Sequence, residues 1–351
     1  MVRECWGPEV DVRSDTEWGL AIRHGRWVDG PVERRRHIAG RALRLTAPRA
    51  WRRLPAHVRQ RSRGIARLNR LTLRLGASPV AVARMRTGHR MILDLRSGTE
   101  WLPYYSGEFD DRRIRVAREL MRRRSGIAVD AGANIGLWTV PLALEAAELN
   151  RRVIAVEPVP VNTRRLVQNL RLNRVDEFVD VRQVALSDTS GRTTMTLRED
   201  FLGGAQTGNA AVFVDDGADD SWSRTEVATR TLDEVLDDLG KPPVSVLKID
   251  VEGHEDRLLA GAQTTVSQNR PIVFAEWNAV YYSRRGIDVT KATAPLLRAW
   301  DYRCLRRVRQ HTWIVDDLFR SRLPLEDVVL VPEEDAAEVV DLMHRVVGDG
   351  R

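Results

Sequence analysis

Two glycines and an acid follow the first apolar run in the central part of the chain. Residues Ile127–Val129 lead directly into Asp130-Ala131-Gly132-Ala133-Asn134-Ile135-Gly136. Glycines at this spacing allow a tight turn and a close approach of ligand to backbone, and a following helix would present free N–H groups. The spacing Gly-x-x-x-Gly differs from the dinucleotide pattern Gly-x-Gly-x-x-Gly, which favours a ligand without a pyrophosphate. The predicted contacts come from Asp130, which could meet a cationic amino group, and from Gly132, Asn134 and Gly136.

A second acid ends the next apolar run, Val153–Val156. Glu157 can accept hydrogen bonds from two ribose hydroxyls, and Pro158 stops the strand. Either string alone is also consistent with an ordinary strand end. Together, and about one strand-helix unit apart, they predict binding of S-adenosylmethionine (SAM), which combines a methionine-like amino group with a ribose.

Three further polar strings lie at predicted strand ends. Ala185 and Ser187 would lie near an adenine, although a strand running into a turn explains them nearly as well. Asp250 and His254, within Leu247–Glu255, could take the proton of an attacking hydroxyl, and Asp250 could also contact the cofactor. Burying so many polar groups without a purpose would be costly. The neighbouring Glu252 and Glu255 could instead cap the next helix.

Substrate contacts are predicted where aromatic and polar side chains occur together. Oxygen ligands on Asp250, Glu276 and Asn278 could hold Mg²⁺, but hydrogen bonds to a hydroxylated substrate explain them equally well. The aromatic stretch Glu100–Asp110 could form a lid, or its rings could simply be packed. The predicted substrate-binding residues are Tyr104, Tyr105, Glu276, Trp277 and Asn278.

Strands and helices alternate from Ile127 onward, which predicts an α/β fold with a doubly wound, mostly parallel, Rossmann-like sheet. Later strand-like pieces could add antiparallel strands at its edge, and Phe201–Arg224 indicates a long loop. The predicted strands are Ile127–Asp130, Arg152–Glu157, Val179–Leu186, Val244–Asp250, Ile272–Glu276, Cys304–Val308, Thr312–Val315 and Asp327–Val331. The predicted helices are Val32–Leu45, Ala56–Leu75, Arg112–Arg124, Gly136–Leu149, Pro160–Asn173, Thr231–Leu239, Glu255–Ser267 and Ala294–Trp300.

Charge is distributed unevenly, which suggests three segments. Residues 1–125 hold 29 Arg and Lys against 13 Asp and Glu, whereas the whole chain holds 56 against 49. We expect an Arg-rich helical extension at 1–75, a cap or lid segment at 76–125 and a SAM-binding domain at 126–351. The basic stretch could meet an anionic partner, but a solvated, Arg-rich helical surface is the favoured interpretation.

These motifs together resemble the FkbM family of SAM-dependent methyltransferases, over roughly Leu93 to Glu276. The resemblance rests on Asp130–Gly136, Glu157-Pro158, the Lys248–Glu255 string and the late Glu276. It implies a class I methyltransferase fold and O-methylation of a sugar, glycolipid or natural product by direct displacement. It does not cover the Arg-rich stretch before residue 76.

Two other functions compete with this one. An RNA ribose methyltransferase would use the basic N-terminal segment, and an NAD-linked oxidoreductase would use the same type of sheet. The Asn/Asp-Pro-Pro-Tyr/Phe string of amino-directed nucleic-acid enzymes is missing. Methylation of a base carbon needs a cysteine nucleophile, and neither Cys5 nor Cys304 lies at a predicted strand end of the cleft. We therefore expect a small-molecule or glycan acceptor rather than nucleic acid, in a reducing cytoplasm. No apolar run approaches the roughly 18 residues of a membrane span, and the oligomeric state stays open.

Overall fold

The computed structural model describes residues 20–23, 26–29, 48, 51, 62–198, 201, 204–214, 222–309, 312–316 and 325–348. The chain divides into two compact units, Met1–Pro79 and Val80–Arg351. The predicted boundaries at 75/76 and 125/126 stay predictions.

The first unit contains a short hairpin and a helix among its described residues. Strands β1 (Leu20–Arg23) and β2 (Arg26–Asp29) pair in antiparallel fashion, and this hairpin was not predicted. Helix α1 (Ser62–Arg74) carries no acidic residue in its first turn and matches the later part of the predicted helix Ala56–Leu75. The predicted helix Val32–Leu45 lies outside the described residues.

An eight-stranded sheet forms the centre of the second unit. Its order is β15-β14-β16-β13-β12-β5-β6-β7. The five strands from β13 to β7 are parallel, and β16 runs antiparallel between β13 and β14. This open sheet confirms the predicted α/β fold class. Its strands are β5 (Ile127–Ala131), β6 (Val153–Val156), β7 (Val179–Arg182), β12 (Val244–Ile249), β13 (Ile272–Asn278), β14 (Tyr302–Arg309), β15 (Thr312–Asp316) and β16 (Leu325–Pro332).

Continuous apolar runs account for the parallel strands, because both faces of such a sheet are covered by helices. Every residue of β12 is buried, and its Leu247 belongs to a core that includes Leu258 and Leu297 of neighbouring helices. The helices of this unit are α2 (Gly98–Ser106), α3 (Asp111–Arg123), α4 (Thr139–Glu148), α5 (Pro160–Asn173), α6 (Leu232–Asp237), α7 (Glu255–Ala260), α8 (Gln263–Asn269), α9 (Ala279–Arg284), α10 (Val289–Ala299) and α11 (Ala336–Gly348).

Two smaller sheets are also present among the described residues of this unit. Strands β3 (Val80–Arg84) and β4 (Arg90–Asp94) form a hairpin. A four-stranded sheet consists of β8 (Ala185–Leu186), β9 (Gly191–Leu197), β10 (Ala210–Val212) and β11 (Arg224–Arg230). The order of its strands is β10-β9-β11-β8.

The small sheet corrects two predictions. The predicted single strand Val179–Leu186 is two strands in two different sheets, because β7 pairs with β6 while β8 pairs with β11. The predicted loop Phe201–Arg224 contains β10, which pairs with β9. In both places a short apolar segment pairs with a strand that is distant in sequence, and periodicity does not reveal such a partner.

Several helix predictions also needed correction. The predicted lid Glu100–Asp110 is mostly helix α2, and Glu255–Ser267 is two helices, α7 and α8, interrupted at Gly261 and Ala262. The predicted helix Ala294–Trp300 begins earlier, with Asp288 capping α10. Pro295 therefore lies inside that helix. Within the part of the chain that the structure describes, no helix combines the length and apolar character needed to cross a membrane.

Candidate functional site

A cleft lies beyond the carboxyl ends of β5, β6 and β12, where sheets of this kind bind ligands. One side is formed by the turn after β5 and the acid after β6. The other is formed by the β12 end, and residues of the β10 segment cover it. The lining residues are Gly132, Asn134, Val156, Glu157, Pro158, Asn162, Val184, Ala185, Leu186, Met195, Gly208, Asn209, Ala210, Val212, Asp250, Val251, Glu252 and His254.

The turn after β5 brings the backbone close to the end of β12. Gly132 has a φ of 76°, and a Cβ built on it would lie 1.8 Å from the carbonyl oxygen of Asp250. Only glycine fits there, because both the conformation and the space exclude a side chain. The predicted Gly136 fulfils a structural role instead. It has a φ of 93°, its added Cβ would lie 2.7 Å from Leu166 Cδ1, and it does not line the cleft.

Asn134 combines a strained backbone with a polar side chain in the cleft. Its φ is 49°, a left-handed conformation that asparagine tolerates better than most residues. Its Nδ2 donates to Asn209 Oδ1 at 3.2 Å, while its Oδ1 is buried without a hydrogen-bond partner in the described structure. A buried polar atom without a partner is costly, so this oxygen is suited to a ligand donor.

Glu157 lines the cleft and is 5% exposed. Its carboxylate accepts from the backbone N–H groups of Asn134 at 2.8 Å and Val159 at 3.1 Å, and from Asn162 Nδ2 at 3.2 Å. Burial raises the pKa of Glu157 to about 7, although these hydrogen bonds act in the opposite direction. A carboxylate offers about four acceptor positions, so it retains capacity for a hydroxyl donor.

The cover of the cleft is held by buried polar contacts. Asn162 both donates to the Gly208 carbonyl at 2.9 Å and accepts from its N–H at 3.2 Å. Thr207 donates to the carboxylate of Glu100, which is 1% exposed. Gln206 N donates to Asp94 at 2.9 Å. Residues 206–208 therefore have a defined position over the cleft.

Asp130 has a different position from the one predicted. It is fully buried beneath the turn, accepts from Thr139 Oγ1 at 2.6 Å and lies 3.3 Å from Lys248 Nζ. It does not line the cleft, so its carboxylate stabilises the turn from below rather than facing a ligand.

Lys248 connects Asp130 to the cleft, and the sequence had not marked it as a site residue. Its Nζ donates to the carbonyl of Gly132 at 2.7 Å and lies 3.4 Å from Asp250 Oδ2. Burial lowers the pKa of Lys248, but Asp130 and Asp250 raise it more, so the ammonium stays charged. Asp250, whose side chain is 36% exposed, lines the cleft as predicted.

Ser187, which was predicted to lie near the adenine, contacts His254, the predicted base. Ala185 lines the cleft, and Ser187 Oγ lies 3.2 Å from His254 Nε2 and 3.1 Å from Asp188 Oδ1, to which it donates. Because the Ser187 hydroxyl donates to Asp188, its oxygen is free to accept from a protonated Nε2; in that tautomer Nδ1, which is buried without a hydrogen-bond partner in the described structure, is the acceptor. Burial lowers the pKa of His254 to about 4, which keeps the ring neutral.

Acidic side chains crowd the ends of β12 and β13. Burial raises the pKa of Glu276 to about 8, with Asp250 and Asp327 acting in the same direction. Burial also raises the pKa of Glu252 well above its usual range, together with Asp250 and Glu276. Arg113 offsets part of this charge through its contact with Asp327 at 2.8 Å. Glu252, which lines the cleft with a φ of 54°, had been interpreted only as a helix cap.

The predicted aromatic contacts are corrected by burial. Tyr104 and Tyr105 are 7% and 0% exposed and pack edge to face, and Trp277 is 1% exposed. None of the three lines the cleft, because their rings fill the core. Asn278 accepts from Val280 N at 3.2 Å and caps α9.

The described side chains do not support the possible Mg²⁺ site. Among the described residues, no group of three or more His, Cys, Asp or Glu side chains is arranged to hold a metal ion. Cys304 is buried in β14, where burial raises the pKa of its thiol, so it is not suited to act as a nucleophile in the cleft.

Comparison with known proteins identifies the central part of the chain. Residues 130–304 match the family model of the methyltransferase FkbM domain. These residues therefore belong to the FkbM methyltransferase family, which confirms the resemblance and disfavours the NAD-linked alternative.

Three individual proteins illustrate this similarity. The AMB antimetabolite synthetase AmbE of Pseudomonas aeruginosa is 29% identical over 197 residues, covering 48% of this chain and 9% of that protein. The 31-O-demethyl-FK506 methyltransferase FkbM of Streptomyces tacrolimicus is 30% identical over 162 residues, covering 40% and 61%. The crystal structure of methyltransferase FkbM from Methylobacillus flagellatus is 19% identical, with a TM-score of 0.36, covering 59% and 43%. The chain thus spans less than two thirds of the length of each.

Proposed function

We propose that this protein is a SAM-dependent methyltransferase that methylates a hydroxyl group on a sugar, glycolipid or natural product. The observation that carries the proposal is the cleft, which combines the glycine turn after β5 with the buried Glu157 carboxylate after β6. The FkbM family match over residues 130–304 supports the same reaction class. One relative is named as a methyltransferase of a demethylated natural product, which supports a hydroxyl acceptor.

The residues present fit the cofactor. Glu157 would hold the ribose hydroxyls, and Ala185 would pack near the adenine. The unpartnered Oδ1 of Asn134 and the carboxylate of Asp250 would receive N–H donors of the amino-acid end. Gly132 carries no side chain, so this end of the cofactor could approach the backbone closely. A larger residue at this position would collide with the carbonyl of Asp250.

Bound SAM would supply a methyl group on a sulfonium, and transfer of this group to a hydroxyl oxygen would break the bond from carbon to sulfur and leave S-adenosylhomocysteine (SAH). The protein then has two tasks, to align the oxygen and to accept its proton. We propose His254 as the first candidate base, because its neutral ring leaves Nδ1 as an acceptor. Asp250 is the second candidate, because its partly exposed carboxylate lines the cleft beside Lys248.

Cofactor binding and methyl transfer are tested in separate experiments. Calorimetry of the full chain should show SAH binding, and tight NAD binding without a response to SAH would overturn the proposal. Transfer of labelled methyl from SAM to a panel of sugars, glycolipids and hydroxylated macrolides should then identify an acceptor. His254→Ala should lower turnover by about 10²- to 10⁴-fold with SAH still bound. Asp250→Asn should lower turnover similarly and also weaken SAH binding, because its carboxylate would contact the amino-acid end of the cofactor. The assignment of a base fails if both variants keep near wild-type turnover.

The RNA alternative has its own test. Most of the Arg-rich stretch lies outside the described residues, so ribose methylation stays a hypothesis. A salt-dependent shift of RNA in a gel, lost on deletion of residues 1–75, would favour it.

A further inference from the structure

Residues 206–209, which we call the strap, lie over the cleft and are joined to it at two points. Asn162, at the start of α5, donates to the Gly208 carbonyl at 2.9 Å and accepts from its N–H at 3.2 Å. Asn134, in the turn after β5, donates to Asn209 Oδ1 at 3.2 Å. These four residues all line the cleft. The strap therefore covers the part of the cleft that would hold the ribose and the amino-acid end of the cofactor.

Two carboxylates anchor the strap from outside the cleft. Thr207 is 0% exposed, and its hydroxyl donates to the carboxylate of Glu100 in α2. Gln206 N donates to Asp94 Oδ2 at 2.9 Å, and Arg96 holds the same carboxylate through contacts at 2.9 Å and 2.7 Å. Neither Glu100 nor Asp94 lines the cleft. Both residues can therefore influence a bound ligand only through the strap.

The hydroxyl of Thr207 is an important donor to the buried Glu100. One carboxylate oxygen of Glu100 accepts from Asp94 N at 2.6 Å, and the other accepts from Thr207. Burial raises the pKa of Glu100 to about 7, while Arg165 and the Thr207 hydroxyl act in the opposite direction. A buried carboxylate oxygen that loses a donor is costly, whereas lifting the strap would admit water to it. The bond from Thr207 therefore favours the closed position of the strap.

We infer that Thr207 and Glu100 are positioning residues of the cofactor site, which hold the strap over bound cofactor and thereby set how fast it enters and leaves. The inference rests on the proposed function, because that function places the cofactor in this cleft. It goes further by giving a role in cofactor exchange to Glu100, a residue of α2 outside the cleft. Opening of such a cover commonly limits ligand release in enzymes.

The kinetics of SAH binding to the full chain, measured by surface plasmon resonance, test this inference. Thr207→Val keeps the shape of the side chain and removes its hydroxyl. The association and dissociation rate constants should both rise at least fivefold, because the strap is open for a larger fraction of the time. The dissociation constant should change less than either rate constant. Thr207→Ser restores the hydroxyl and should return both rate constants to within twofold of the wild type.

Thr265→Val is the matched control. Thr265 is also buried and its hydroxyl also donates to a carboxylate, Asp233 Oδ1 at 2.6 Å, but it lies on α8 and does not line the cleft. The substitution should lower the free energy of unfolding in urea and leave both SAH rate constants unchanged. An equal rise of both rate constants in Thr265→Val and Thr207→Val would overturn the inference, because the cause would then be general destabilisation.

Two other results with Thr207→Val would also overturn it. One is that both rate constants stay within twofold of the wild type. The other is that affinity falls while association is unchanged, which would mean damage to the site itself. If Thr207→Val does not fold, Glu100→Gln decides the result: a neutral bond then replaces a charge-assisted one, and both rate constants should rise at least twofold, whereas wild-type rate constants overturn the inference. Absence of SAH binding in the unmodified chain would instead overturn the proposed function.

Discussion

Replacing Glu157 with glutamine should weaken SAH binding sharply. The carboxylate already accepts from Asn134 N, Val159 N and Asn162 Nδ2, and a glutamine amide would turn an NH₂ group toward one of these donors. At least one charge-assisted bond to a ribose hydroxyl would be lost. Such bonds contribute about 1.5–3 kcal/mol, so affinity should fall by roughly 10- to 150-fold. Calorimetry with SAH measures the change directly.

The same carboxyl group should make SAH affinity depend on pH. Burial raises the pKa of Glu157 to about 7 in the protein without ligand, and ribose hydroxyls donate to the ionised form. Protons therefore compete with the ligand below pH 7, and wild-type affinity should rise with pH, by up to about tenfold per unit, before levelling off above 7. In Glu157→Gln this part of the rise should disappear.

Glu148→Gln is the control for both experiments. Glu148 is exposed on α4, so the substitution removes the same charge outside the cleft and should leave affinity and its pH profile intact. The assignment of Glu157 as the ribose acceptor is refuted if Glu157→Gln binds SAH within twofold of the wild type, or if it keeps the wild-type rise between about pH 5.5 and 7.

Three further substitutions test the structure around the cleft. Gly132→Ala would place a methyl group 1.8 Å from the Asp250 carbonyl, and we expect a loss of about 2–4 kcal/mol of unfolding free energy in urea, together with weakened SAH binding. Lys248→Met should cost about 3–5 kcal/mol, because it leaves Asp130 charged and buried without its ammonium. Adding Asp130→Asn should recover part of that loss, and no recovery would mean that the pair does not interact. Tyr105→Ala should cost about 3–5 kcal/mol by opening a cavity while SAH affinity stays within twofold, and a selective loss of affinity would contradict the core position of this ring.

The parallel strands and the main cleft residues could be predicted from the sequence because their signals are local. A buried apolar run followed by glycine or acid predicts a strand end, and strand ends of a parallel sheet lie at one edge. This logic placed Glu157 and Asp250 correctly at the cleft. It failed for Asp130, because burial beneath the turn depends on Lys248, which comes from a strand more than a hundred residues later.

Aromatic residues show a second limit of the sequence. The residue types of Tyr104 and Tyr105 are the same whether their rings line a lid or fill a core. Only the packing of α2 distinguishes these two roles. The stacking of Arg198 between Trp222 and Tyr281 was equally invisible. These three residues are far apart in sequence, and no local pattern relates them.

The reversed strand β16 has a consequence for the order in which the molecule folds. It pairs with β13 through Val273 and Leu330, and with β14 through Cys304 and Leu330. Both partner strands precede β16 in the chain. During synthesis, the edges of β13 and β14 that pair with β16 therefore stay unpaired until β16 has been made. Unpaired apolar edges promote aggregation. The sheet that holds the cleft therefore reaches its final form only after β16 has been synthesised, and its completion depends on residues remote from the cleft itself.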